Sequence, residues 1–134
     1  VEAISAAPAA FDWPNERTEA FTEEYVSRHD TIPFGFWSMY GHTVIDALAA
    51  ALEESGGDTS SDALISSLSG LTFSSVVPDT TIRESDHHAE MDAMLAGRLG
   101  PVDNPPLDQE FYSFTDKQEL SDEQVTDGDI SCSF

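Results

Sequence analysis

The run from Pro33 to Gly57, PFGFWSMYGHTVIDALAAALEESGG, constrains the fold more than any other stretch, because a knot of aromatics leads straight into a long amphipathic segment closed by two glycines. Trp37, Tyr40, Val44, Leu48, Ala51 and Leu52 recur at intervals of three and four, while Asp46, Glu53 and Glu54 lie off that stripe. This is the period of a helix with an apolar face. Gly56 and Gly57 supply the positive-φ residues that helix C-termini favour. Ile45 and the alanines widen the apolar face, so the helix is expected to bury against more than one neighbour.

The flanking sequence arranges itself around this helix. Residues 1–11, small and apolar with Pro8 interrupting, suit a strand end or an extended lead-in. Asp12, Pro14 and Asn15 supply capping and first-turn chemistry for a helix from about Asn15 to His29, with Ala20, Phe21, Tyr25 and Val26 on its apolar side. Asp30 to Pro33 form a loop, since a residue before proline avoids the helical region. Asp58 to Ser60 link to a third helix, about Ser61 to Ser69, which carries Ala63, Leu64 and Leu68 and stops at Gly70. The pattern then becomes extended: Leu71 to Phe73 and Thr80 to Arg83 read as strands joined by a loop containing Pro78.

Residues 91–99 are ambiguous, because Met, Ala and Leu favour helix while Gly97 and the short length oppose it. From Pro101 onward, Pro105, Pro106 and many acidic residues indicate a solvated tail, pinned at Phe111, Tyr112 and Phe114. There is no internal repeat.

Charge excludes several function classes. Twenty-six Asp and Glu stand against five basic residues (Arg17, Arg28, Arg83, Arg98 and Lys117), a formal net charge of -21. Nucleic acid is excluded as a partner because phosphate contacts need clustered Lys and Arg, and an anionic membrane surface is disfavoured for the same reason. The acidic residues are dispersed rather than blocked, which suits a protein adapted to high salt; an acidic interaction protein at ordinary salt is the alternative. Cys132 is the only cysteine, so neither an intrachain disulfide nor a cysteine-based metal site can form. No apolar run approaches the roughly 20 residues that span a bilayer, so no direct membrane insertion is expected, and no signal peptide opens the chain. The first residue is Val1; a mature product, an excised domain or a truncated frame would all look like this.

Candidate chemistry is sparse. Asp86, His87, His88 and Glu90 are the residue types of a zinc site, but adjacent histidines on an extended segment face opposite ways, so at most one can share an ion with a carboxylate. A small metal-dependent enzyme using this cluster is therefore a second alternative. His29, His42, His87 and His88 sit at no spacing that predicts a triad with serine, no G-x-S-x-G elbow occurs, and no nucleotide-binding glycine loop is present. No catalytic residue, metal or cofactor is expected.

Three segments, FDWPNERTEAFTEEYVSRHDTIP, FWSMYGHTVIDALAAALEESGG and DALISSLSGLTFSSVVPDTTIRESDHHAEMDAMLAGRLG, together resemble the C-terminal part of the branched-chain amino acid (Leu/Ile/Val-type) solute-binding proteins of ABC transporters, of the type I periplasmic-binding-protein class. The resemblance covers roughly residues 11 to 100. It implies an α/β fold: a partial lobe of about three helices followed by short strands, in a domain spanning 1–100, with an acidic and largely disordered tail over 101–134. It implies a non-enzymatic receptor piece, outside the cytoplasm, whose partners in the complete protein are a small amino acid or amide solute and an ABC permease. Hinge closure of two lobes would trap the solute.

The resemblance also resolves residues 89–99 as a strand returning to the other lobe and places the crossover at residues 71 to 83. Phe36, Trp37 and Tyr40 fall where the family's helix start approaches the cleft, which makes them the ligand-binding candidates; core packing is the competing role for all three. The family's groups for the ligand's amino and carboxylate ends come largely from parts of the fold not matched here. A fragment with weak affinity of its own is expected, its broad apolar face over residues 37–52 left without the sheet that would cover it. An acidic interaction or regulatory domain without a transport role remains the principal alternative.

Overall fold

The computed structural model describes residues 4–7, 10–33, 37–103, 107 and 112–121. Helix α1 (Glu16–His29) starts where Asn15, in extended backbone, accepts the Thr18 N–H on its side-chain oxygen at 2.9 Å. Glu16 and Glu19 occupy its first turn and Arg28 and His29 its last, the order the helix dipole favours. It ends at Asp30, which takes φ 51° and donates its N–H to the Val26 carbonyl. Helix α2 (Trp37–Glu54) stops at Gly56 and Gly57, φ 66° and 88°, the Gly57 N–H reaching the Leu52 carbonyl at 2.8 Å. Helix α3 (Ser61–Leu68) is capped by Ser60 and followed by Gly70 at φ 79°. All three helices lie where cap chemistry and periodicity put them.

The described residues form six strands, beginning with β1 (Ile4–Ala7). Strands β2 (Thr72–Phe73), β3 (Thr80–Ile82) and β4 (Ala89–Met91) make one antiparallel sheet in that order. Strands β5 (Ala93–Pro101) and β6 (Tyr112–Ser121) join β1 in a second, with β5 in the centre. The segment that local propensity leaves open is thus extended, its β5 portion held between β1 and β6, where Leu95 faces Ala7 on one side and Glu119 on the other. The expected crossover at residues 71 to 83 is corrected: these residues build the β2–β3 arm, and the chain passes between sheets at Asp92, whose N–H donates to the Asp79 carbonyl at 2.9 Å.

The expected solvated tail is also corrected over residues 112–121, which form a ten-residue strand along β5. The register slips between Ala96 and Arg98, so Asp116 and Lys117 together oppose Gly97, and Asp116 takes φ 51°. That bulge breaks the period-two alternation by which a strand would be read from sequence. It also explains Gly97, since a Cβ there would lie 2.6 Å from the Thr115 carbonyl oxygen. Residues 122–134, with Cys132, lie outside the described residues.

Two small cores result. Ala10, Trp13, Ala93, Leu95 and Phe114 form the first, under the long sheet. Met39, Val76 and Val77 form the second, with Phe21, Tyr40 and Met91 packed against it. Helix α1 fastens to both through buried threonines: Thr22 Oγ1 donates to the Phe11 carbonyl at 2.7 Å and Thr18 Oγ1 to the Val76 carbonyl at 2.8 Å. Its buried line is therefore Thr18 and Thr22, while Ala20 is exposed and Phe21, Tyr25 and Val26 are half-buried. Hydroxyls win these positions because the loop carbonyls they face would otherwise be buried without a donor. Lys117, the only lysine, spans 105 residues to the Asp12 carboxylate at 2.5 Å, which also accepts the Ser113 hydroxyl at 2.7 Å.

Candidate functional site

The helix start at Trp37 carries the aromatic pair expected to face a ligand. Trp37 opens α2 and is 67% exposed, whereas Tyr40, one turn on, is half-buried against the Met39–Val76–Val77 core. Their ring centroids stand 6.4 Å apart with planes at 80°, an edge-to-face arrangement. Burial pushes the Tyr40 phenol above its ordinary pKa. Trp37 is thus the more exposed of the two rings, and Tyr40 packs against the core. Phe36 lies outside the described residues.

Helix α2 buries an unexpected side. Met39, Thr43 and Ala51 are enclosed, while Trp37, Val44, Ile45 and Leu48 of the apolar stripe are exposed at 67, 65, 61 and 41%. The inner side is chosen by residues far along the chain. Val76 and Val77 press on Met39, and Ser75 Oγ donates to Asp46 Oδ2 at 2.7 Å and lies 3.0 Å from Thr43 Oγ1. On the outer side, Val44, Ala47 and Leu48 join Ile65 and Leu68 of α3 and Ile82 of β3 around an apolar depression of about 400 Å³, with His87 at its edge. Ile65 and Ile82 escape sequence reasoning as site residues. The i, i+3 spacing of Ile65 and Leu68 was the available signal.

Beside the inner side, His42, Asp46, Ser75, Arg17, Phe21 and Glu24 line a second, shallower depression of about 520 Å³. His42 Nε2 stands 3.6 Å from Asp46 Oδ2, and its ring centroid lies 5.0 Å from that of Phe21. The carboxylate, not the imidazole, accepts the Ser75 hydroxyl. Arg17 Nη2 reaches Asp79 Oδ1 at 3.0 Å, and Ser74 Oγ donates to the same oxygen at 2.8 Å. The Ser74 hydroxyl first, and Arg17 second, hold the Asp79 carboxyl below its usual range.

The candidate zinc cluster has a different occupant. Arg83 donates to Asp86 Oδ2 at 2.5 Å, to Asp86 Oδ1 at 3.0 Å and to Glu90 Oε1 at 2.6 Å, filling the space between the carboxylates with a guanidinium. These bonds, and then the His88 N–H on Asp86 Oδ1, hold the Asp86 carboxyl below its usual range. His87 turns away at φ 57°. Among the described residues no group of three His, Cys, Asp or Glu is placed to share an ion. Nor, among them, is any helix long and apolar enough to cross a membrane.

Comparison with known proteins completes the description of the site. Three solved structures share the fold. An ABC-type branched-chain amino acid transporter protein from Rhodopseudomonas palustris CGA009 is 22% identical with a TM-score of 0.74, over 92% of this chain and 32% of that one. The leucine-, isoleucine-, valine-, threonine- and alanine-binding protein of Brucella ovis, in a closed conformation, is 18% identical with a TM-score of 0.77, over 98% and 34%. A solute binding protein of an ABC transporter from Rhodopseudomonas palustris BisB5, in complex with 3,4-dihydroxybenzoic acid, is 20% identical with a TM-score of 0.74, over 90% and 30%. This chain spans about a third of the length of each. No curated protein matches it. The family model described as periplasmic binding protein matches residues 2–98, more than half of the sequence and all of α1, α2 and α3 with the three strands of the short sheet, and the chain belongs to that family.

Proposed function

We propose that this chain is one section of the extracytoplasmic solute receptor of an ABC importer, and that Trp37, with Phe36 beside it in sequence, forms part of the wall that encloses a branched-chain amino acid. The observation that carries this reading is the Trp37–Tyr40 corner: a largely exposed indole at a helix start, set edge-to-face on a ring that is itself packed on a core. Such a face is rigid, uncharged and suited to an aliphatic side chain. The family supplies the mechanism, closure of lobes around a solute followed by delivery to a permease. The chain does no covalent chemistry in this reading.

A flat aromatic acid is the second reading, favoured by the structural neighbour that holds 3,4-dihydroxybenzoic acid. The dispersed acidic surface suits a cell with high internal or external salt. Tryptophan fluorescence of the protein as its cell produces it tests the reading. Titration with leucine, isoleucine, valine and 3,4-dihydroxybenzoate is expected to shift the emission for one class, and Trp37→Ala to abolish the shift. A protein whose emission responds to none of these solutes overturns the proposal.

A further inference from the structure

In the shallower depression beside α2, His42 and Asp46 stand one helical turn apart without the geometry of a direct hydrogen bond. His42 Nε2 lies 3.6 Å from Asp46 Oδ2, beyond the range of about 2.7–3.2 Å over which an N–H donates to oxygen. A divalent ion held at about 2.0–2.2 Å by an imidazole nitrogen and a carboxylate oxygen, at a tetrahedral angle, sets those two atoms about 3.4 Å apart. The pair has the bite of a chelate.

Both side chains are also held from behind. Ser75 is 3% exposed; its hydroxyl donates to Asp46 Oδ2 at 2.7 Å and lies 3.0 Å from Thr43 Oγ1, which itself donates to the Met39 carbonyl at 2.9 Å. Carboxylates that ligate metals are oriented by outer hydrogen bonds of this kind. The imidazole rests against α1, its ring centroid 5.0 Å from that of Phe21. The His42 and Asp46 side chains remain 45% and 31% exposed, so water reaches the space between them. Arg17, which lines the same depression, is bound to Asp79 and does not neutralise Asp46. A net charge of -21 concentrates cations at the surface as a whole.

We propose that His42 and Asp46 form a two-ligand site for a divalent transition-metal ion of the zinc, nickel or copper class, completed by water. One imidazole and one carboxylate suit these ions, whereas magnesium and calcium take oxygen ligands. The site is separate from the Asp86–Glu90 cluster, whose carboxylates hold Arg83. It is also independent of the solute reading, since Trp37 takes no part in it. Two protein ligands supply roughly half the binding free energy of a four-ligand zinc site, which places the dissociation constant on the order of 10 µM.

Carbethoxylation of histidine by diethyl pyrocarbonate, followed peptide by peptide with mass spectrometry, tests the site without a mutation. The protein as its cell produces it is stripped with a chelator and kept in molar KCl. Zinc at about 100 µM, ten times the expected constant, should slow modification of His42 about tenfold. His88 should react at an unchanged rate, and magnesium at the same concentration should protect neither residue. In isothermal titration, Ser75→Ala should weaken zinc binding about tenfold through loss of the outer hydrogen bond. Asp46→Asn should abolish the protection of His42. The site is overturned if zinc leaves His42 as reactive as before, if it protects His88 equally, or if magnesium reproduces its effect. Protection that survives Asp46→Asn, in a variant whose far-UV circular dichroism matches the parent, overturns it as well. Should that variant fail to fold, the zinc, His88 and magnesium comparison on the parent decides.

Discussion

The two cores of this molecule are closed to different degrees. Around Trp13 the long sheet folds back on the lead-in segment, Leu95 is 1% exposed and Trp13 3%, and Lys117 and Ser113 clamp Asp12 over the edge. Around Met39 the packing is equally tight on one side, with Met39 fully enclosed, yet five residues away along the same helix Val44 is 65% exposed. The first core is completed by residues of its own chain. The second leaves Val44, Ile45 and Leu48 on the far side of its helix exposed. The lesson is that a wide apolar helix face, read as a promise of burial on two sides, is satisfied on the side where buried hydroxyl and carboxylate contacts fix the approach, and left open on the other.

Withdrawal of salt should strain this contrast most. At about 0.01 M ionic strength the screening length is ~30 Å against ~3 Å at 1 M, so the repulsion of a net charge of -21 acts across the whole fold. Far-UV circular dichroism is expected to show loss of helix in dilute buffer, and hydrogen exchange to show α2 and α3 opening before β5 and β6. Equal structure in both buffers would remove the salt-adapted reading, and simultaneous opening would remove the contrast between cores.

Tryptophan substitutions provide the next largest effect. Trp13→Ala should cost about 3–5 kcal/mol in denaturant unfolding, as a large buried ring replaced by a cavity does. Trp37→Ala should cost no more than ~0.5 kcal/mol, the range of an exposed site. Comparable losses at both positions would mean that Trp37 is core and no ligand face. Gly97→Ala comes third: a Cβ 2.6 Å from the Thr115 carbonyl oxygen must push β6 away, at roughly 1–3 kcal/mol. If it proves neutral, the bulge is adjustable and the closed core is looser than its packing implies.

Local devices should matter least. Asn15→Ala removes the α1 cap for about 1 kcal/mol, measurable by thermal unfolding. Asp79→Asn tests the strap from α1 to the loop above Met39. The folded-state pKa of Asp79 is lowered by Ser74 and Arg17, so its contribution is present above the unfolded carboxylate value, about 3.9, and is lost as pH falls through the folded value. The difference in melting temperature between Asp79→Asn and the parent should therefore be visible at neutral pH and close below about pH 4. A gap that persists in acid would assign Asp79 a role other than its charge.

Reading the sequence recovers the parts of this protein that are local. Asn15, Ser60 and the Gly56–Gly57 pair mark helix ends because caps and positive-φ stops act within one turn, and the family pattern of α1, α2 and α3 lies in such stretches. Of the candidate site, Trp37 and Tyr40 were legible as a pair, since i and i+3 meet on any helix. Their separate burial was not, because Val76 and Val77, which enclose the neighbouring Met39, arrive from 37 and 38 residues downstream. The Asp86–Glu90 cluster shows the same limit: its carboxylates could be read, but not that Arg83 would turn back to hold them.

What the sequence alone determined, then, is where helices begin and stop, how much apolar face α2 carries, and how strongly the surface is charged, because each depends on neighbours within a few residues or on composition. Tertiary structure alone decided that residues 112–121 are a strand, that the strand which the family resemblance implied at residues 89–99 breaks at Asp92 into two sheets, that α1 buries threonines, and that α2 turns Met39 inward and Leu48 out. Those outcomes belong to pairings between segments up to about a hundred residues apart, Ile4 with Arg98 and Asp12 with Lys117, for which no local pattern exists.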